Sequence, residues 1–213
     1  MKLVLVLLLL QSASLLAQEA ADPLVMQRRL ANVLRQATAA YERDDFKGAL
    51  DMLGSVKGEA SRDLSVLNLQ AASLTRLGQY DEAARIFSDI LRANSDYFPA
   101  AFNLAEVQFL SGDREGALEA FRQLRRRDPR NELLRFKVYL CLVALGRDEE
   151  AAKTARAMHA ASLSPSWYYA QAVAARRQGD ENRARQHLRA ARALYGEKGC
   201  AIYDEALELA GLR

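Results

Sequence analysis

The side chains of this 213-residue chain that could perform acid–base chemistry are carboxylates in short runs. Glu149 and Glu150 are adjacent, and paired carboxylates can act as a general acid and a general base. Adjacent positions on a helix point in different directions, so these two carboxylates would not converge on one atom. Similar acidic runs recur at a regular interval, which indicates a structural origin. We therefore expect no enzymatic activity.

Other reactive side chains stand alone in the sequence. His159 and His187 have no histidine or cysteine at ligand spacing, so we expect no metal and no other cofactor. A run of arginines is a candidate anion site, but a solvated helix end is the favoured interpretation. The net charge of +3 is small for a nucleic-acid-binding protein. The members of the run are Arg122, Arg125, Arg126, Arg127 and Arg130.

A short phrase that opens with glycine recurs along the chain. Gly78, Gly112, Gly146 and Gly179 lie 34, 34 and 33 residues apart, and acidic residues follow each of them. A fifth copy, one period earlier, has Asp44 in place of the glycine. A fixed period of this size is typical of stacked supersecondary units. Each unit is predicted to be two antiparallel helices joined at the glycine, which suits the left-handed backbone that ends a helix.

Small and large residues recur at set distances from this turn. The second helix of each unit has a small position: Ala49, Ala83, Ala117, Ala151 and Ala184. A large apolar position follows four residues later: Leu53, Phe87, Phe121, Ala155 and Leu188. The first helix has a small position of its own: Ala37, Ala71, Ala105, Tyr139 and Ala172. Alanines allow the paired helices to approach closely, while the large residue fills the space towards the next unit.

The helix ends carry charged and capping residues. Acidic residues after each turn complement the positive end of the second helix. The first helices are expected to begin at capping residues, some of them followed by proline. The candidates are Asp22, Ser61, Asp96, Asp128 and Ser164.

The two cysteines, Cys141 and Cys200, fall in different parts of the repeat pattern. Helices pack roughly 8–10 Å apart, so two repeats of separation correspond to about 20 Å. A disulfide needs Cα atoms within about 7 Å. We therefore expect two buried thiols and no bridge.

These residues resemble the tetratricopeptide repeat family over about Leu30 to Tyr195. The shared features are the turn glycine, the two small positions, the second-helix phenylalanine, an aromatic after the turn (Phe46, Tyr80) and a proline near the end of the unit (Pro129, Pro165). The resemblance implies an all-α, right-handed solenoid of about five repeats at residues 30–195. Residues 18–29 lead into it, and residues 196–213 form a C-terminal capping helix. The apolar side of that helix is assigned to Ile202, Ala206, Leu209 and Ala210.

In this family the first helices line a concave groove that receives a partner. The residues assigned to the groove are Asn68, Phe102, Glu106, Phe109, Phe136, Tyr169 and Arg176. Their aromatic and apolar character suits an apolar peptide or helix. The lysines that clamp a peptide carboxylate in some relatives are missing here. The alternative is that Phe102, Phe109 and Phe136 pack inside the array.

The N-terminus has the layout of a secretory signal peptide. Lys2 precedes an apolar run from Leu3 to Leu10, and a cleavage point follows Ala17. The run is short for a membrane span, which needs about 20 apolar residues. We expect residues 1–17 to be removed and the bacterial protein to be periplasmic or secreted. The alternative is an uncleaved N-terminal anchor.

The sequence thus predicts a non-enzymatic scaffold of the cell envelope. It would bind a protein or peptide partner in its groove, with no nucleic-acid ligand and no membrane span in the mature form. The alternative is a self-associating structural or assembly component of an envelope complex, a homo-oligomer that an uncleaved N-terminal helix could anchor.

Overall fold

The computed structural model describes residues 23–159 and 164–212. The predicted signal peptide, residues 1–17, lies outside this part. Within the described ranges the regular elements are helices, without a strand. They are α1 (Pro23–Tyr41), α2 (Phe46–Gly54), a 3₁₀ helix (Gly58–Arg62), α3 (Leu64–Arg76), α4 (Tyr80–Ala93), α5 (Phe98–Ser111), α6 (Arg114–Arg127), α7 (Glu132–Ala144), α8 (Asp148–Arg156), α9 (Ser166–Arg177) and α10 (Glu181–Leu209).

The turns between paired helices have the predicted backbone. The angle φ is 76° at Gly78, 98° at Gly112, 69° at Gly146 and 78° at Gly179. These values lie in the left-handed region, which glycine enters without a steric penalty. Asp44 also has a positive φ, 61°, at the position where the repeat lacks its glycine. The register of the helix pairs is therefore confirmed.

Acidic residues at the start of the second helices act in two ways. Asp45, Asp113 and Asp180 precede the helices as N-caps, and each side chain accepts a hydrogen bond from a backbone N–H of the first turn. Others lie within the first turn, such as Glu82 and Glu149, where they complement the helix dipole.

Four of the predicted starts of the first helices are wrong, and the fifth, Asp22, lies outside the described residues. Helix α9 begins at Ser166, with Pro165 rather than Ser164 at the N-cap position. Asp63, not Ser61, caps α3, since its side chain accepts from the backbone N–H of Ser65. Helix α5 begins after Tyr97 rather than after Asp96. Helix α7 is capped by Asn131. The chain turns between Asp128 and Asn131, where the Asn131 N–H donates to the Asp128 carbonyl at 3.2 Å. Pro129 therefore belongs to a turn and not to a helix start.

The chain divides into two compact units, Met1–Ile90 and Leu91–Arg213. In the first unit, α1, α2 and α3 pack around the buried residues Ala37, Ala40, Ala49, Leu53 and Val66. The Tyr41 and Phe46 rings meet edge to face at 5.2 Å between centroids. The Arg76 guanidinium lies 4.7 Å from the Phe46 ring centroid and pairs with Asp44 at 3.3 Å.

The second unit has a larger core, to which helices α5 to α10 contribute. The small positions Ala105, Ala117, Ala151, Ala172 and Ala184 are buried there, as predicted. The fourth repeat departs from the pattern at Tyr139 and Ala155, which are both buried. The Tyr139 hydroxyl donates to the backbone carbonyl of Ala170 at 3.1 Å, and this hydrogen bond links α7 to α9.

We find no helix in the described part of the chain with the length and apolar character that a membrane span requires. Cys141 and Cys200 are both buried free thiols.

Candidate functional site

The first helices of the second unit bring most of the predicted groove residues together. We call this surface the inner face. It consists of Phe102, Glu106 and Phe109 on α5, Phe136, Lys137 and Leu140 on α7, and Tyr169 and Arg176 on α9. Asn68 lies on α3 of the first unit, where it is half-buried. Its assignment as a partner contact stays a prediction.

The last helix of the chain returns onto this inner face because α10 bends at Gly196. Gly196 has φ 70° and ψ 169°, whereas the rest of α10 is helical. Such a backbone is accessible essentially to glycine alone. We call residues 197–209 the C-terminal helix. Its buried side is formed by Cys200, Tyr203, Ala206 and Leu207.

This buried side differs from the predicted one. Ala206 is buried as expected, but Ile202 is 44% exposed and Tyr203 only 4% exposed. The other two predicted residues, Leu209 and Ala210, are half-buried, so the assignment is wrong only at Ile202, where the adjacent Tyr203 is buried instead. One residue rotates a helix by about 100°, which moves a side chain from the core to solvent.

Three aromatic rings join the C-terminal helix to the inner face. The Tyr203 ring centroid lies 5.3 Å from that of Phe136 and 5.3 Å from that of Tyr169. The Phe136 and Tyr169 rings meet edge to face at 6.1 Å. Both Phe136 and Tyr169 have no exposed surface. Two of the seven residues predicted to receive a partner are therefore covered by the chain itself.

Polar contacts fix the orientation of the C-terminal helix. The Tyr169 hydroxyl donates to the Asp204 carboxylate at 2.7 Å. Burial, together with this hydrogen bond and the negative charge of Asp204, raises the pKa of Tyr169 well above its usual value. The hydroxyl therefore remains a donor at any ordinary pH. Arg192 donates to the same carboxylate at 3.0 Å.

Arg176 anchors the end of the chain. Its guanidinium donates to the backbone carbonyl of Leu212 and pairs with Glu181 at 3.2 Å. The sequence assigned Arg176 to the orientation of a partner. The structure places it on the segment that follows the C-terminal helix.

Where the C-terminal helix ends, it leaves only a small cavity against the inner face. Glu106, Phe109, Leu140 and Leu209 contribute to the walls of this cavity, whose volume is about 20 Å³. A volume of this size holds about one water molecule. This part of the inner face thus has no room for a peptide while the C-terminal helix lies on it.

Glu106 makes an ion pair with Lys137, a residue that the sequence did not single out. Lys137 is 7% exposed, and its ammonium group also lies 5.6 Å from the Phe102 ring centroid. A lysine is rarely buried unless it is paired. This pair joins α5 to α7, so Glu106 has a structural partner at the site where a ligand contact was predicted.

Phe102 and Phe109 are the aromatic residues of the inner face that remain half-buried. The Phe102 ring meets Phe121 edge to face at 5.5 Å and stacks on Phe98 at 6.0 Å. Phe98 is itself 41% exposed. Apolar surface therefore continues past the covered part of the inner face.

The arginine run on α6 is largely paired with acidic residues. Arg122 pairs with Glu150 at 2.8 Å, and Arg126 pairs with Glu119 at 3.1 Å. Arg127 pairs with Asp96 at 3.3 Å. The interpretation as a charged helix end is supported by these pairs. Over residues 23–159 and 164–212, no cluster of histidine, cysteine and acidic side chains is arranged to hold a metal ion.

Comparison with known proteins agrees with the repeat pattern. A model of the tetratricopeptide repeat matches residues 74–137, and a second tetratricopeptide repeat model matches residues 111–165. Residues 74–165 belong to the tetratricopeptide repeat family. Comparison with curated proteins gave no match.

Solved structures of low sequence identity share this fold. TTC0263, a thermophilic tetratricopeptide repeat protein from Thermus thermophilus, is 18% identical, with a TM-score of 0.65 over 86% of this chain and 98% of its own. MamA of AMB-1 is 19% identical, with a TM-score of 0.55 over 81% and 93%. MamA from residue 41 onwards of Desulfovibrio magneticus RS-1 is 17% identical, with a TM-score of 0.56 over 78% and 94%.

These findings confirm the predicted fold class, an all-α solenoid of tetratricopeptide-type repeats. They also support a role as a protein-interaction scaffold, and proteins of this family are generally not enzymes.

Proposed function

We propose that this tetratricopeptide repeat protein is a non-enzymatic scaffold of the bacterial cell envelope that binds an amphipathic helix on its inner face. One observation carries the proposal. The inner face already binds a helix, which is the C-terminal helix of the same chain. An apolar groove that receives a helix is a common mode of peptide recognition.

The contacts of the C-terminal helix describe the partner that would suit this face. An aromatic residue fills the space between Phe136 and Tyr169, as Tyr203 does. A carboxylate in the next position accepts the Tyr169 hydrogen bond, as Asp204 does. A small residue and a leucine follow at the positions of Ala206 and Leu209, which border the cavity. A helix repeats every 3.6 residues, so an apolar stripe with this spacing lies along one side.

Helix binding in trans can be tested with a fluorescein-labelled peptide that has the sequence of residues 197–212. Titrations use the full chain and two variants, Tyr203→Ala and Ile202→Ala. Tyr203→Ala weakens the docking of the chain's own helix, so its inner face is free more often. We expect it to bind the peptide at least about tenfold more tightly than the wild type, since apparent affinity scales with the fraction of free sites.

Ile202→Ala is the matched control, because it alters an exposed neighbour on the same helix. It should bind the peptide as the wild type does, and a peptide with Tyr203→Ala should bind weakly to every chain. Absence of binding to the Tyr203→Ala chain, with native helix content by circular dichroism, would show that the inner face takes no helix from outside.

The envelope location rests on the N-terminal sequence, residues 1–17. Fractionation of bacteria that express the full chain, followed by N-terminal sequencing, tests it. We expect a mature protein that begins at Gln18 in the periplasm or the medium. An intact N-terminus in the membrane fraction would support the anchored alternative, and an intact chain in the cytoplasm would contradict export.

A further inference from the structure

A single residue decides where the C-terminal helix points. Gly196 is the one position within α10 whose backbone is not helical. It is exposed, and a Cβ added there would meet no atom within 4 Å. The bend therefore depends on the backbone preference of glycine and not on side-chain packing around it.

If Gly196 adopted helical φ and ψ angles, α10 would become one straight helix. Residues 197–209 would then extend about 20 Å beyond Tyr195, at 1.5 Å per residue. Release of the C-terminal helix exposes Tyr203 and Leu207 on the helix and Phe136 and Tyr169 on the inner face. Each copy of the chain then presents two apolar surfaces that fit each other.

We propose that a second copy of this chain covers both surfaces, so that two chains exchange their C-terminal helices. The inference rests on the proposed ability of the inner face to bind a helix from another chain. Each copy supplies one helix and one inner face, so the exchange closes into a two-fold dimer. The helix that lies on this face in the structure is the chain's own, which favours a second copy over an unrelated partner.

The contacts across the inner face are the same in the exchanged dimer. The aromatic contacts of Tyr203, the hydrogen bond from Tyr169 to Asp204 and the contact of Arg176 with Leu212 all re-form between chains. The ion pair of Arg192 with Asp204, at 3.0 Å, re-forms as well, because Arg192 stays with the body that carries the inner face and Asp204 moves with the helix. The pair of Arg192 with Glu197, at 3.5 Å, lies next to the bend and is the one that a straight helix loses. The Glu197 side chain is 82% exposed, so this pair contributes little. The equilibrium between the monomer and the exchanged dimer therefore depends on the backbone preference at Gly196 and on the protein concentration.

Gly196→Ala tests the exchange in the full chain. Alanine disfavours the bent backbone and favours the straight helix. Sedimentation equilibrium is expected to show a dimerisation constant at least about tenfold above that of the wild type. The matched control is Gly146→Ala, which places alanine at a similar φ of 69° with equally open space, but in the turn between α7 and α8. It should associate as the wild type does.

Two double variants identify the surface that holds the dimer. Gly196→Ala with Tyr203→Ala should return to monomer, whereas Gly196→Ala with Ile202→Ala should remain a dimer. A dimer that persists without Tyr203 would use another surface and would overturn the exchange. A Gly196→Ala chain that stays monomeric at all concentrations would also overturn it.

The peptide titration separates the two proposals. If the Tyr203→Ala chain binds the peptide while Gly196→Ala stays monomeric, the exchange is wrong and helix binding stands. If no chain binds the peptide, helix binding itself fails. Refolding at high concentration gives a second route should Gly196→Ala not fold. The wild type refolded in this way should yield the dimer and the Tyr203→Ala chain should not, and a wild type that refolds only to monomer would count against the exchange.

Discussion

The Tyr203 ring of the C-terminal helix and the Phe136 ring of α7 lie 5.3 Å apart between centroids. Phe136 belongs to the surface on which tetratricopeptide repeats are expected to receive a partner, and Tyr203 belongs to the last helix of the same chain. The proposed binding surface and a helix that fits it are thus present in one molecule. The availability of the inner face depends on how firmly the C-terminal helix is docked.

Tyr203→Ala should loosen the C-terminal helix, and the thiol of Cys200 reports the change. Cys200 is fully buried on the same helix, and burial raises the pKa of its thiol, so it should react slowly in the wild type. Loss of about 1.4 kcal/mol of docking energy makes the open state about tenfold more populated. We expect the alkylation rate of Cys200, followed by mass spectrometry, to rise at least about tenfold. Ile202→Ala is the control, and equal rates in both variants would contradict the role of Tyr203.

Arg176→Gln should release the end of the chain without unfolding the repeats. The variant loses the contact with the Leu212 carbonyl and the ion pair with Glu181. Hydrogen exchange at the backbone amides of residues 210–212 is expected to accelerate several-fold, because these amides depend on the anchored end. Arg177→Gln is the control, since Arg177 pairs with Asp148 on another helix. Equal acceleration in both variants would show that Arg176 has no special part in anchoring.

The helix pairs could be predicted from sequence because short-range sterics determine them. A left-handed turn favours glycine, and a close helix contact requires a small residue such as alanine. Both residue types therefore recur in the sequence at a fixed spacing. Gly112 and Ala117 illustrate this, with φ 98° at the first and no exposed surface at the second. The start of α7 was misplaced because an Asp-Pro pair favours a turn as well as a helix start, and here Asp128 and Pro129 form the turn.

The destination of the C-terminal helix could not be predicted in the same way. An apolar stripe shows that a helix will bury one side, but it does not show against which surface. The sequence assigned Phe136 and Tyr169 to one face, and their rings meet in the structure, but the sequence does not reveal that Tyr203 covers them. Lys137 was missed because lysine is usually solvated, and only the fold brings Glu106 to it.

Lys137→Met should destabilise the second unit more than loss of a surface pair. The change leaves the Glu106 carboxylate without its cation in a half-buried site, which should lower the free energy of unfolding by about 1–3 kcal/mol. Glu106→Gln with Lys137→Met should recover part of this loss, because the uncompensated charge is gone. Urea titrations measure the free energy of unfolding of each variant. Arg126→Gln, which removes an exposed pair with Glu119, should lower the free energy of unfolding much less. A Lys137→Met variant no less stable than Arg126→Gln would contradict the structural role of the pair.

Tyr139 should make the stability of the protein fall at alkaline pH. Its hydroxyl donates to the Ala170 carbonyl, and burial raises the pKa of Tyr139 from 10 to about 12. A pKa that is higher in the folded state means that unfolding releases a proton above pH 10. The contribution of Tyr139 is therefore complete below about pH 10 and is lost as the pH rises from 10 to 12. The loss amounts to about 3 kcal/mol, at about 1.4 kcal/mol for each pKa unit.

Tyr139→Phe separates this titration from the hydrogen bond. Phenylalanine cannot ionise, so unfolding free energies from urea titrations should decline less steeply with pH above 10. At pH 7 the variant should be about 1–2 kcal/mol less stable, because the Ala170 carbonyl loses its donor. Burial also raises the pKa values of Tyr169 and Tyr203, so a weaker alkaline decline remains in the variant. An unchanged slope would mean that Tyr139 ionises as readily in the folded chain as in the unfolded one. That result would contradict the raised pKa of the buried Tyr139 hydroxyl.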